Sequence, residues 1–124
     1  MLKNKDEAHK SLIGILTQQI PPLRIRKNSD DVFEVCGTKE AMQGKKKVDG
    51  FYFASVIPKP KDVRFYFFPI YTHPEHFTEL SDSLRKMLKG KSCFHLKHLD
   101  NSLLDEIKNM VKTGIAVYSK DQLI

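Results

Sequence analysis

The residues best suited to chemistry in this chain lie between Tyr71 and His98. Cys93 and His95 stand two apart, and side chains at i and i+2 of a strand share a face, so the pair would project together, with His98 three residues on. Soft sulfur beside imidazole suits zinc or iron, which makes Cys93, His95 and His98 the candidate metal ligands and iron a candidate cofactor. His73 and His76 bracket Pro74-Glu75 as a second histidine pair. A metal centre needs ligands converging from several elements, and the plain alternative for each histidine is a polar surface residue. Arg85, Lys86, Lys89, Lys91 and Lys97 form the densest basic patch, and Tyr71 adds an aromatic ring beside it. A patch of this kind suits an anionic ligand, an acidic protein surface or a phosphate backbone. Cations that close a helix are equally explained by its dipole.

Catalytic patterns are missing. Gly90-Lys91-Ser92 looks like the end of a phosphate loop, but that motif needs a glycine where Arg85 stands, and a preceding strand where a helix is expected. Scattered Ser, His and Asp residues have no nucleophile elbow to assemble on. Cys93 and His95 would lie side by side on a strand, a poor arrangement for a thiol and its base. Lys45-Lys46-Lys47 reads as a solvated loop, with a phosphate contact as the alternative. Enzymatic activity is therefore not expected.

The element that must position these groups is the stretch Gly50 to Tyr71, which holds eight of the chain's aromatic residues. Its alternation and its Pro58-Lys59-Pro60-Lys61-Asp62 turn predict a central antiparallel hairpin, Gly50–Ile57 with Val63–Ile70. Upstream, Asn4 can cap a helix running to Gln19, with Ala8, Leu12, Ile15 and Leu16 as its apolar stripe, ended by Pro21-Pro22. Leu23–Lys27 and Val32–Cys36 read as a first hairpin around Asn28-Ser29-Asp30. Thr38 to Met42 suggests one helical turn, and Gly44–Lys47 a charged loop or strand extension.

Downstream, Pro74–Lys89 predicts a helix in one or two pieces, closed by a left-handed Gly90. Ser92–Leu96 reads as a short strand. Asp100 or Asn101 caps a last helix with the stripe Leu103, Leu104, Ile107, Met110 and Val111. Gly114 should end it, with Ile115 folding back on Met110, Ile115–Tyr118 docking or adding a strand, and Ser119–Ile124 fraying. Strands in succession with segregated helices define an α+β class: an antiparallel sheet of about five strands with the terminal helices packed on one face.

At 124 residues, one domain is expected. No apolar run approaches the roughly 20 residues that span a bilayer, and MLKNKDEAHK has no apolar signal block, so no membrane association and a cytoplasmic location are expected. Two distant cysteines in that setting read as reduced thiols, and the absence of CxxC excludes the usual thiolate zinc site. A net charge of +6 permits acidic or nucleic-acid partners and is also what keeps a small domain dispersed.

From Phe65 to Leu99 the residues resemble a known family. Phe67-Phe68-Pro69-Ile70-Tyr71, Pro74-Glu75, Leu84-Arg85-Lys86, Lys89-Gly90-Lys91-Ser92-Cys93-Phe94 and the Asp100 helix closing at Thr113-Gly114-Ile115 are similar to the YdhG-like domain of unknown function, over about Asp49 to Tyr118. The resemblance implies a frataxin-like sheet covered by helices from both chain ends, and a role as an intracellular iron chaperone. Frataxins bind iron through an acidic ridge on the first helix and strand. Here that region offers only Asp6 and Glu7 on the helix, with Arg24 and Arg26 on the strand, so the ridge does not carry over. The expectation is a non-enzymatic binding domain for a protein partner or small anionic ligand, using Tyr71, Arg85, Lys86, Lys89, Lys91 and Lys97. Its alternatives are a metal carrier using Cys93, His95 and His98, and weak nucleic-acid binding.

Overall fold

A computed structural model describes residues 5–124. Helix α1 spans Lys5–Thr17 and buries the expected Ala8, Leu12, Ile15 and Leu16, while the proposed Asn4 cap lies outside the described residues. The strands β1 (Arg24–Asn28), β2 (Phe33–Cys36), β5 (Tyr52–Pro58), β6 (Val63–Phe67), β7 (Leu88–Lys89) and β8 (Cys93–Leu96) form one six-stranded sheet in the order β1-β2-β5-β6-β8-β7. Every pairing in it is antiparallel. The α+β class holds, with one more strand than expected. α1 and the long α4 (Asn101–Lys120) pack together on the same sheet face. None of the described helices is long and apolar enough to cross a membrane.

The central hairpin falls where alternation places it, but Pro58 closes β5 opposite Val63 and the turn itself is Lys59-Pro60-Lys61-Asp62, with Lys59 N donating to Asp62 O at 2.8 Å. β6 stops at Phe67 rather than Ile70, because Pro69 opens a short helix α2 (Pro69–Thr72). The core beneath is aromatic: Phe53, Phe65, Phe67 and Phe94 are almost fully buried, and Tyr118 of α4 meets Phe51 and Phe53 edge-on. Burying each ring stabilises the fold by about 2 kcal/mol.

The expected helical turn at Thr38–Met42 is instead a strand, β3 (Ala41–Gln43), paired with β4 (Lys46–Val48) in a separate two-stranded ribbon. Gly44 takes φ +65 at the tip, and a two-residue hairpin turn requires such a conformation. The helix expected from Pro74 to Lys89 in one or two pieces is in two, a 3-10 turn at Pro74–His76 and helix α3 (Asp82–Met87), whose N-terminus is capped by the Ser81 hydroxyl accepting from Leu84 N at 3.2 Å. Gly90 is left-handed as expected, at φ +76, but it turns the β7–β8 hairpin and does not cap a helix.

Two expectations at the C-terminus fail for related reasons. Asp100 caps α4 through Leu103 N at 2.8 Å, yet the helix passes through Gly114 to Lys120, so residues 115–118 are helical. Gly114 is there because the helix crosses the sheet closely: a Cβ would lie 2.9 Å from Phe67 Cζ and 3.0 Å from Pro69 Cγ. The tail does not fray but folds back, Leu123 N donating to Tyr118 O at 2.8 Å, and Ile124 is buried against Gly37.

Candidate functional site: a cationic cleft on the uncovered sheet face

The sheet face opposite α1 and α4 is half-buried and polar. Its layout depends on a bulge in β5. Val35 pairs with Ala54 and Cys36 with Tyr52, which leaves Phe53 as an extra residue. Phe53 and Ala54 both turn toward the helices, so Tyr52 and Ser55 emerge together on the other side, their hydroxyls 2.6 Å apart. Ser55 Oγ donates to Glu34 Oε1 at 3.2 Å, and Arg26 Nε donates to Glu34 Oε2 at 2.6 Å. The Arg26 guanidinium also lies over the Tyr52 ring, 5.7 Å from its centroid. Burial pushes the Tyr52 hydroxyl up to about 12, against the opposing effect of its Ser55 bond. These groups satisfy one another, and they form a rigid floor rather than an open site.

The open site lies at the other end of this face. β6 and β8 set Arg64 opposite His95. Asp62, just before β6 and only 6% exposed, accepts from Arg64 Nε at 3.3 Å and faces His95 Nδ1 across 3.8 Å. That leaves His95 Nε2 as the ring nitrogen for a ligand. Two clefts meet at His95 and Lys97. One, of about 390 Å³, runs toward α3 and is walled by Lys86, Met87, Lys89 and His98. The other, of about 480 Å³, runs toward the β5–β6 turn, between Lys59, Lys61 and Arg64.

The expected ligand residues separate into three groups. Lys86, Lys89 and Lys97 converge on the first cleft from α3, β7 and the segment after β8, and His95 and His98 join them. Arg85 is turned away, its guanidinium donating to the carbonyls of Thr78 at 3.0 Å and Leu80 at 3.2 Å, where it ties down the loop before α3. Tyr71 and Lys91 pair with each other instead, Lys91 Nζ 5.3 Å from the Tyr71 centroid, and neither lines the cleft.

The metal trio does not assemble. Among the described residues, no group of three or more His, Cys, Asp and Glu side chains could hold an ion. Cys93 shares the sheet face with His95, but it is engaged by Tyr66, and burial raises its thiol pKa, the opposite of what a thiolate ligand requires. His73 and His76 are not a ligand pair either. His73 Nε2 lies 2.5 Å from Asp121 Oδ2, and its Nδ1 lies 2.8 Å from the Thr72 hydroxyl, which meets Tyr118 OH at 2.8 Å. This chain of contacts fastens α2 to the end of α4.

Lys59, Lys61, Arg64 and Met87 belong to the site without having been expected there. Lys59 and Lys61 are visible in the sequence only as a charged turn and Arg64 only as a strand residue, and nothing in their spacing from Lys97 shows that β6–β8 pairing brings them together. Comparison with models of protein families, with characterised proteins and with solved structures returns no match for this chain.

Proposed function

We propose that this chain is a binding module for an anionic ligand, held in the lysine-walled cleft beside His95. The observation that carries the reading is the convergence of five lysines from separate elements on one concave surface. Away from it three cations pair with carboxylates, Arg24 with Asp49 at 3.2 Å, Arg26 with Glu34 at 2.6 Å and Lys47 with Glu40 at 2.9 Å, and other lysines such as Lys27 and Lys112 extend singly from the surface. Lys59, Lys61, Lys86, Lys89 and Lys97 make no salt bridge among the described residues, although they surround two adjoining clefts. The single carboxylate in the lining, Asp62, is nearly buried and already faces Arg64 and His95. Like charges gathered around a concave surface raise the local potential, and an anion relieves it.

Kinship with the YdhG-like domains is part of the same proposal, supported by the antiparallel sheet with both terminal helices on one face. An iron-carrying role gains no support, since Cys93, His95 and His98 are not assembled as ligands. A cytoplasmic setting is consistent with two free thiols, Cys36 and Cys93.

The test is calorimetric titration with pyrophosphate at low ionic strength, on the native chain and on a Lys59→Gln/Lys61→Gln/Lys97→Gln variant. We expect saturable binding that the variant weakens at least tenfold. Absence of binding, or equal affinity in the variant, refutes the proposal.

A further inference from the structure

We infer that the ligand of this site is a nucleoside polyphosphate, its phosphate chain toward the β5–β6 turn and its base toward α3; this rests on the anion-binding reading above. The two clefts share His95 and Lys97, so they are halves of one groove and not separate sites. Small-ligand pockets run about 300–1,000 Å³, and each half reaches that range alone, so the pair suits an elongated molecule better than a single compact anion.

The halves differ in chemistry. Toward the turn, Lys59, Lys61 and Arg64 stand around Pro60. Two lysines free of carboxylates among the described residues, beside an arginine that Asp62 holds in place, suit consecutive phosphates, whose charges repel unless countered. Toward α3, the half-buried Met87 provides a soft apolar wall, the aliphatic stems of Lys86 and Lys89 extend it, and the His95 and His98 rings stand beside it. A thioether and imidazoles are surfaces against which a flat heteroaromatic base can lie, whereas inorganic phosphate gains nothing from that wall.

The divide between the halves is held in place. Asp62 fixes Arg64 from one side and faces His95 from the other, so both are set before a ligand arrives. Lys5 steadies the turn itself, donating from Nζ to Lys59 O at 3.0 Å.

The experiment measures equilibrium affinities of the whole chain for ATP, AMP, tripolyphosphate and orthophosphate by calorimetry, at low salt without divalent metal. Two variants are compared, Met87→Ser and Lys59→Gln/Lys61→Gln, each with its thermal unfolding checked. We expect ATP to bind at least tenfold more tightly than tripolyphosphate. Met87→Ser should remove most of that margin and leave tripolyphosphate unchanged. Lys59→Gln/Lys61→Gln should weaken ATP and tripolyphosphate about tenfold and AMP much less. Equal affinity for ATP and tripolyphosphate overturns the inference while the anion reading stands. So does a single-stranded oligonucleotide that outcompetes ATP with affinity rising with length. Failure of all four anions to bind overturns both readings together.

Discussion

Replacing Gly114 with alanine sets two opposing effects against each other, and the structure decides between them. Alanine is the better helix former by about 1 kcal/mol, and α4 is continuous through this position. But the new Cβ would stand 2.9 Å from Phe67 Cζ, 3.0 Å from Pro69 Cγ and 3.2 Å from Phe53 Cζ. Carbon atoms rest about 3.5–4.0 Å apart, so α4 must retreat by roughly half an ångström or more. None of the three neighbours is a flexible chain end that can swing aside, and Phe53 and Phe67 are fully buried. Overpacking of this kind costs about 1–3 kcal/mol. A retreating helix also loosens Tyr118 against Phe51 and Phe53, 5.2 and 5.7 Å away between centroids. The expected net effect is a loss of about 1–2 kcal/mol, or a Tm lower by roughly 3–10 °C for a chain of this size.

Gly14 supplies the control. It lies within α1, and a Cβ there would meet nothing within 4 Å. Gly14→Ala should therefore gain about 0.5–1 kcal/mol from propensity alone. Urea unfolding of both variants, read by circular dichroism, compares them directly. The reasoning is refuted if Gly114→Ala is as stable as the native chain, or if the two substitutions shift the midpoint in the same direction by similar amounts.

Other outcomes follow from the same geometry. Burial pushes the Tyr52 hydroxyl up to about 12, so the folded chain keeps a proton that the unfolded chain releases near pH 10. That contribution is complete below pH 10, is lost as pH rises toward 12, and is on the order of 2–3 kcal/mol. Tyr52→Phe should make the alkaline fall in stability shallower, without abolishing it because Tyr66 and Tyr118 are also raised, and an unchanged pH–stability slope counts against it. Deleting Leu123 and Ile124 exposes Gly37 and the end of α4, and should cost about 1–2 kcal/mol; thermal unfolding with no change in midpoint would show that the tail does not dock. His9 Nε2 is buried without a partner among the described residues, so His9→Leu should raise stability by about 1 kcal/mol, measured as the urea midpoint.

Parts of this architecture are legible in the residues because one physical cause dominates locally. The Phe and Tyr alternation through Gly50–Tyr71 has period two, and Pro58 and Pro60 leave only one place for the turn. Ala8, Leu12, Ile15 and Leu16 can form a stripe only on a helix. Glycine is where local reading fails, since it serves two unrelated purposes. Gly44 and Gly90 supply positive φ at hairpin turns, whereas Gly114 supplies the absence of a Cβ beneath a helix crossing. The sequence looks the same in all three cases. The bulge at Phe53 is also silent, because an extra residue in a uniformly apolar strand breaks no visible alternation, yet it determines which side Tyr52 faces.

The same distinction separates the two halves of the groove. Lys86, Lys89 and Lys97 lie within a dozen residues, so their density is visible in the chain. Lys59, Lys61 and Arg64 reach His95 only through the pairing of β6 with β8, a contact between distant segments. Asp62 makes that joining more than coincidence. A nearly buried carboxylate loses solvation, and a buried ion pair is weak evidence for stability in itself. Here the carboxylate faces an arginine and a histidine at the junction of two cationic clefts, and it neutralises none of the surrounding lysines. An acid placed only to balance charge would sit outward among those lysines, as Glu40 does against Lys47. Facing inward, Asp62 holds Arg64 and leaves the lysines of the groove to a ligand.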